Sequence, residues 1–197
     1  MPTVKTYTVY QFSELSDSAK ESARNWYRSV SDFEFYAETV IADAKDIAHM
    51  FGLTIDNISY SGFCSQGDGA CFEASYKYKK GGLKDVKSFA PMDDTLHKIV
   101  KNFQEIQRKN FYSLTASTKH HGRYFHAQSM DIYVDTTKYN SNVSENDSDY
   151  LTACLQDFAH WIYKQLENEY EYSNSEEQVD ESIEANEYEF DEKGKIA

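Results

Sequence analysis

The side chains of this sequence that could carry chemistry gather in two short stretches. Residues 61–72 read SGFCSQGDGACF and hold three of the eight glycines, two of the three cysteines and one carboxylate, Asp68. Residues 120–126 read HHGRYFH and hold three of the six histidines. Thiols, imidazoles and carboxylates serve as nucleophiles, as general acids and bases and as zinc ligands. The two stretches are therefore the first candidates for a site.

Neither a zinc site nor a cysteine nucleophile is predicted from these residues. Structural zinc sites usually separate two cysteines by two to four residues, whereas six residues separate Cys64 from Cys71. A nucleophile at Cys64 would need a neighbour such as His121 or His126 to lower the pKa of the thiol, and no cysteine-protease signature surrounds it. We expect no metal, no cofactor and no catalytic residue, and we leave open whether the chain has an enzymatic activity.

The glycines of the first stretch resemble a phosphate-binding loop only in number. A P-loop ends in Gly-Lys-Ser/Thr and a dinucleotide-binding loop opens a helix, but here the glycines lead into the strand-like residues 70–78. Asp68 has two interpretations. It could be a functional carboxylate paired with His121 or Arg123, or it could accept hydrogen bonds from its own loop, which is the usual role of Asp in turns and the one that we favour.

Two pairs of strand-like segments place both stretches at the tips of hairpins. Residues 55–60 and 70–78 flank the glycine-rich stretch, and residues 111–119 and 127–135 flank the histidine-rich one. In an antiparallel sheet both tips can lie at the same end, so we predict a binding site there. Its residues are Ser65, Gln66, Gly67, Asp68, Gly69, His121, Arg123 and Tyr124.

Helical periodicity accounts for most of the remaining chain. Ser16 predicts the N-cap of a first helix, and the apolar stripe of residues 33–51 predicts a second helix that ends before Gly52. A third helix follows Asp93 or Asp94, and a fourth carries Leu151, Leu155, Phe158, Ile162 and Leu166 inward, with Trp161 and Tyr163 at its edges. Residues 3–10 alternate as a strand does, whereas residues 79–87 and 136–148 read as connections.

This order of elements predicts an α+β fold. We expect an antiparallel sheet built from two hairpins plus an N-terminal strand, with helices packed on one face and an acidic helical C-terminal segment. Residues 1–173 form a single α+β domain in this interpretation. Residues 174–197 form an acidic helix or tail that is packed on the domain or appended to it, and Ser175 to Gln178 match a capping box at its start.

Acidic charge is concentrated at the C-terminal end. Residues 145–197 hold 16 acidic and 3 basic residues, whereas residues 1–144 hold 17 of each. Such a surface repels nucleic acid and attracts basic proteins. We therefore predict a partner with a basic surface, either a host protein or a nucleoprotein complex. The carboxylates expected to bind it are those of Glu176, Glu177, Asp180, Glu181 and Glu184.

Direct binding of nucleic acid is disfavoured by the acidic end, although the middle of the chain has suitable residues. Residues 77–138 hold 12 basic and 6 acidic side chains. Cationic side chains interleaved with aromatic rings are typical of nucleic-acid surfaces. The candidates are Lys77, Lys79, Lys80, Lys84, Lys87, Lys98, Lys101 and Arg123, with Tyr76, Tyr78, Tyr112 and Tyr124.

The sequence predicts a cytoplasmic protein without membrane contact. No apolar run approaches the roughly 20 residues of a membrane span, and the first ten residues alternate instead of forming a signal peptide. The three cysteines are then expected as reduced thiols. The sequence leaves open whether the chain is a monomer or a homodimer.

Four stretches together resemble a group of small uncharacterised proteins carried by phages and other mobile elements. They are residues 12–20, 61–72, 119–126 and 185–190, of which the SGF-x-SQGDGA-x-F run is the most specific. Relatives often carry an aromatic residue where Cys64 stands, and some are labelled antitoxin-like. The resemblance implies a genomic context and no particular reaction.

Together with the acidic end, this resemblance leads to one functional prediction and two alternatives. The prediction is a phage or mobile-element protein in the bacterial host cytoplasm that acts by protein–protein interaction. It would inhibit a host defence system, of the anti-CRISPR or anti-restriction type, with an acidic face that mimics nucleic acid. The alternatives are a small enzyme or ligand-binding protein that uses the two hairpin tips, and an antitoxin.

Overall fold

The structure, a computed structural model, describes residues 6, 8–31 and 34–197, and of residues 34–36 the backbone alone. The described residues form six α-helices, two single-turn 3₁₀ helices (Phe12–Glu14 and Ala127–Ser129) and six strands, which confirms the α+β class. In chain order the helices and strands are β1 (Tyr10–Gln11), α1 (Asp17–Val30), α2 (Glu34–Phe51), β2 (Leu53–Tyr60), β3 (Ala70–Lys77), α3 (Gly82–Phe89), α4 (Asp94–Lys109), β4 (Leu114–His120), β5 (Met130–Thr136), α5 (Glu145–Ser173), α6 (Glu176–Ala185) and β6 (Glu189–Phe190).

The main sheet is an antiparallel meander in the order β2-β3-β4-β5. The predicted hairpins are its outer pairs, and the segment containing α3 and α4 connects the two inner strands. Because side chains alternate along a strand, Leu53, Tyr76 and Leu114 are buried on one face, while Ser75 and Ser117 are exposed on the other. Helices cover the buried face, as predicted.

The helices over the sheet contribute an aromatic core. The ring of Phe51 from α2 lies 5.1 Å from that of Phe103 on α4 and 5.3 Å from that of Phe158 on α5. The ring of Tyr76 lies 5.0 Å from Phe103, and burial raises the pKa of its hydroxyl. All five apolar residues predicted to face inward from α5 are fully buried.

The chain divides into two compact units. The terminal unit comprises Met1–Ala37 and Asn168–Ala197, and the sheet unit comprises Glu38–Glu167. The terminal unit has its own apolar core, formed by Phe12, Leu15, Ala19, Ala23, Val179, Ile183 and Phe190. The sequence-based boundary between residues 173 and 174 lies within this unit, because the C-terminal segment packs against the N-terminal one.

The N-terminal strand belongs to a separate sheet. Half of the predicted strand at residues 3–10 lies outside the described residues. Strand β1 pairs with β6, with Tyr10 opposite Phe190, in a two-stranded sheet of the terminal unit and does not join the meander. Near the C-terminal end, Glu189–Phe190 thus forms a two-residue strand of this second sheet.

Helix α3 was predicted as a connection, and that prediction is wrong. It begins after Gly81, whose φ is 92°, and Gly82 approaches α2 so closely that an added Cβ would lie 2.6 Å from the Cα of Phe51. The two glycines are therefore needed for a tight helix start, although in sequence such a pair is typical of a loop. Among the described residues no helix is long and apolar enough to span a membrane.

Three other boundaries or placements also differ from the prediction. Helix α5 begins at Glu145, inside the predicted loop, and β4 begins only at Leu114. Trp161 is buried instead of lying at a helix edge, because its Nε1 donates a hydrogen bond to Asp93 Oδ2 at 2.8 Å. The other oxygen of Asp93 caps α4, where it accepts from the backbone N–H of Leu96.

Candidate functional site: hairpin tips and acidic helix

The two predicted hairpin tips lie at the same end of the sheet and touch each other. Strand pairing closes one hairpin at Tyr60 and Ala70 and the other at His120 and Met130. The tips meet at Gly69, where an added Cβ would lie only 2.7 Å from the Cβ of His126. Gly69 therefore has no room for a side chain, and its absence lets the two stretches come together.

Asp68 holds the glycine-rich loop in shape. Its Oδ2 accepts hydrogen bonds from the backbone N–H of Cys64 at 3.0 Å and of Ser65 at 2.7 Å. Its own N–H donates to the carbonyl of Ser65 at 3.1 Å. The favoured interpretation of Asp68 is confirmed, since among the described residues it forms no ion pair with His121 or Arg123.

One glycine of this loop has a left-handed backbone. Gly67 has a φ of 122°, a conformation that favours glycine, and it is exposed together with Ser65 and Gln66. Gly62 and Gly69 do not have positive φ. The exposed part of the loop is thus the short segment at residues 64–67, together with Gly62.

Helix α5 anchors the loop through a residue that the sequence analysis left at a helix edge. The hydroxyl of Tyr163 donates a hydrogen bond to the carbonyl of Gly62 at 3.0 Å. The ring of Phe63 lies 5.4 Å from that of Tyr163 and stacks on Tyr60 at 6.3 Å. No local sequence signal reveals this contact, because it depends on how α5 packs against the sheet unit.

The histidine-rich turn is also held together by its own groups. His120 Nε2 lies 3.0 Å from the carbonyl oxygen of Tyr124, and His121 Nδ1 lies 3.1 Å from Asp131 Oδ1. Arg123 covers the Tyr124 ring at 5.2 Å and donates to its hydroxyl at 3.2 Å. Arg123, Tyr124 and His121 are exposed, so this turn offers a mixed cationic and aromatic surface.

The tips do not assemble a metal centre or an activated thiol among the described residues. No group of three or more His, Cys, Asp and Glu side chains there could hold a metal ion. Burial raises the pKa of the Cys71 thiol and raises that of Cys154 to about 12, so both are protonated at neutral pH. Cys64 is exposed on the loop, and its backbone N–H donates a hydrogen bond to the Asp68 carboxylate.

The predicted acidic residues lie on α6, which is fixed by a cap at its N-terminal end and by the apolar core of the terminal unit along one side. Ser175 caps the helix by accepting from the N–H of Gln178 at 3.3 Å, which is one half of the predicted capping box, whereas its own N–H donates to the carbonyl of Tyr172 and not to the Gln178 side chain. Val179 and Ile183 are fully buried in the apolar core of the unit. The orientation of the acidic side chains is therefore set by a folded helix.

Arg24 divides these acidic residues into two groups. Its guanidinium donates to both carboxylate oxygens of Asp180, at 2.6 Å and 2.7 Å, and lies 3.4 Å from Glu176. The hydrogen bonds that Arg24 donates to Asp180, and the charges of Asp180 and Glu176, raise the pKa of Arg24 against the opposing effect of burial. Two of the five predicted carboxylates are thus used inside the unit.

The other three carboxylates form an outward acidic face. Glu177, Glu181 and Glu184 are exposed and follow one another at spacings of four and three residues, which places them on one side of α6. None of them forms an ion pair within the described part of the chain. The name acidic face is used below for these three residues.

Residues 36–176 match the family described as a domain of unknown function, DUF8835. The match covers more than two thirds of the chain, so the protein belongs to that family. No curated protein and no solved structure is similar enough to count as a match.

Proposed function

We propose that this DUF8835 protein acts by binding another protein through its acidic face. The observation that carries the proposal is the set of three unpaired carboxylates at helical spacing on a helix fixed by its core and by Arg24. A rigid row of carboxylates attracts a basic surface over a distance, and it does so without first having to fold. The target is accordingly a protein or nucleoprotein complex with a cationic surface.

The target that fits this chemistry best is a host defence complex that binds nucleic acid, such as a restriction or CRISPR nuclease. The cationic channel of such a complex is built to receive a row of phosphates, and a row of carboxylates imitates that charge. The sequence resemblance to proteins of phages and mobile elements supports the same context. The protein would then inhibit the complex by occupying its channel in the cytoplasm of the bacterial host.

The experiment that tests this proposal is capture from host lysate followed by measurement of the captured activity. The variant Glu177→Gln/Glu181→Gln/Glu184→Gln is expected to lose the captured nuclease, since the three charges are removed without touching the apolar core. A matched control, Asp43→Asn/Asp46→Asn/Asp56→Asn, removes three exposed charges of the sheet unit and should retain it. Equal capture by both variants would exclude the acidic face, and capture without inhibition would exclude the anti-defence role.

A second candidate function is ligand binding at the hairpin tips. It is favoured by the contact of the two tips at Gly69 and by the exposure of Arg123 and Tyr124 beside them. Replacing Arg123 and Tyr124 by alanine should abolish such binding with little loss of stability, because both side chains lie largely in solvent. A metabolite that raises the melting temperature of the unmodified protein but not that of the Arg123→Ala/Tyr124→Ala variant would favour this candidate over the first. Rescue of cells from the product of a neighbouring toxin gene would instead identify an antitoxin.

A further inference from the structure

A groove lined by cationic side chains runs between α3 and α4 in the sheet unit. Its wider part has a volume of about 430 Å³ and is lined by Gly81, Leu83, Lys84, Lys87, Ser88 and Gln104. A small adjoining cavity shares Gly81, Leu83 and Gln104 with it and extends the groove to Tyr78. The name lysine groove is used below for this continuous surface.

The cations at the lysine groove have no anionic partner of their own. Lys84 and Lys87 are one turn apart on α3, and Arg108 follows Gln104 by one turn on α4. None of the three forms an ion pair among the residues that the structure describes. Two carboxylates are close in sequence to these cations. Glu105 is paired with Lys101 at 3.6 Å, whereas Asp85, whose carboxylate lies near Gly81, forms no ion pair among the described residues. The groove therefore has two unpaired lysines in its lining, with Arg108 one helical turn beyond the lining residue Gln104.

A pair of tyrosine rings lies at the other end of the groove. The rings of Tyr78 and Tyr112 are 4.5 Å apart at an angle of 34°, and Tyr112 is 47% exposed. Tyr112 and the preceding Phe111 have φ values of 60° and 56°, which bulky residues rarely adopt. The chain keeps two large aromatic side chains in left-handed backbone at the surface, as occurs where a binding surface requires the strain.

We propose that the lysine groove binds single-stranded nucleic acid. The phosphates lie on Lys84, Lys87 and Arg108, and one base stacks on the Tyr78–Tyr112 pair. Free cations beside a half-exposed aromatic pair are what a single strand needs, because its phosphates and its unstacked bases are both available. An acidic peptide would satisfy the cations and leave the rings unused.

The charge of the whole chain does not prevent this interaction. The terminal unit has 16 acidic and six basic residues, a net charge of −10, whereas the sheet unit has 17 and 14, a net charge of −3. Screening at physiological salt limits the influence of exposed charges to about 8 Å, so charges close to the groove affect binding there more than the net charge of the chain does. The composition-based argument against nucleic acid therefore applies chiefly to the terminal unit.

Fluorescence anisotropy with a labelled oligothymidylate of about 12 nucleotides, and with the matching oligouridylate, tests the proposal on the full chain. We expect saturable binding at about 50 mM salt that weakens as salt increases, with a slope of roughly −0.7 for each phosphate contacted. Lys84→Glu/Lys87→Glu should weaken binding at least about tenfold through those contacts, and the charge-matched control Lys193→Glu/Lys195→Glu, at two exposed lysines of the terminal unit, should change it by less than about twofold. Tyr112→Leu should weaken binding by about fivefold or more, whereas Tyr112→Phe keeps the ring and should restore it.

Several outcomes would overturn the proposal. They are the absence of saturable binding by the unmodified protein, equal losses in the two charge-reversal variants, and full affinity in Tyr112→Leu. If sedimentation instead shows a dimer that Lys84→Glu/Lys87→Glu dissociates, and no oligonucleotide binds, the groove receives a second copy of this chain. Circular dichroism of each variant separates a loss of contacts from a loss of fold.

Discussion

The two units of this chain use their charged side chains in opposite ways. In the terminal unit Arg24 pairs with two carboxylates of α6, those of Glu176 and Asp180. The other three carboxylates of α6, which form the acidic face, are exposed and have no ion-pair partner among the described residues. In the sheet unit the Asp68 carboxylate accepts hydrogen bonds from the backbone of its own loop. Lys84 and Lys87, which form no ion pair among the described residues, line the lysine groove. The chain therefore presents an acidic surface on one unit and a basic surface on the other.

The family match follows the same division. Residues 36–176 include the whole sheet unit, Glu38–Glu167, and only the first residue of α6. A function common to DUF8835 proteins is therefore expected in the sheet unit, where the hairpin tips and the lysine groove lie. The acidic face lies outside the match, so the proposed binding of a basic partner concerns a part of this chain that the family model does not describe.

The largest effect is expected from the core of the terminal unit. Ile183→Ala should reduce the free energy of unfolding of this unit by about 3 kcal/mol, because it removes a fully buried side chain next to Val179. Hydrogen exchange resolved by peptide should show faster exchange in α1 and α6 and little change in the main sheet. If hydrogen exchange became faster to the same extent in both units, the units would unfold together, and the contrast drawn between them would not hold.

Removal of Arg24 should have the next largest effect. Arg24→Met leaves Glu21, Glu176 and Asp180 without their shared cation, and we expect a loss of about 2 kcal/mol, in the range for hydrogen bonds to charged groups. Arg28→Met is the matched control, since the single ion pair of Arg28 among the described residues is with Glu21, at 3.7 Å, and an exposed pair contributes less than about 1 kcal/mol. Similar melting temperatures for the two variants would show that Arg24 does not organise α6.

The corresponding test in the sheet unit is Asp68→Ala. It leaves two backbone N–H groups of the loop without their acceptor, so we expect a loss of about 1–2 kcal/mol, or a decrease of about 3–6 °C in melting temperature. Asp68→Asn retains one acceptor oxygen and should lose less. An unchanged melting temperature in Asp68→Ala, combined with loss of a bound ligand, would reverse the assignment and make Asp68 a binding residue.

The sequence predicted what depends on short-range pattern. Alternation and helical spacing located the four strands of the main sheet and four of the helices to within a few residues, and the hairpin order placed the two tips at one end. The pairing of β1 with β6 and the bond between Arg24 and Asp180 join residues far apart in the chain, which no local pattern reveals. The helix after Gly81 was missed because its glycines serve a close approach to α2.

The smallest expected effect concerns the strained corner beside the lysine groove, and its sign separates stability from binding. Phe111 follows the C-terminal end of α4 in left-handed backbone, and the next N–H, of Tyr112, donates to the carbonyl of Gln107 at 2.6 Å. Glycine is the usual residue at this position of a helix end, because it has no Cβ to be strained.

Since Phe111 is 77% exposed, Phe111→Gly should lose little buried area and stabilise the protein by up to about 1 kcal/mol. Chemical denaturation would measure this gain, and the control Tyr150→Gly, at an exposed site inside α5, should destabilise the protein by about 1 kcal/mol. A gain in stability accompanied by weaker oligonucleotide binding would mean that the strain is kept for the groove. A loss of stability would mean that the ring, with Lys138 4.2 Å from its centre, holds the corner together.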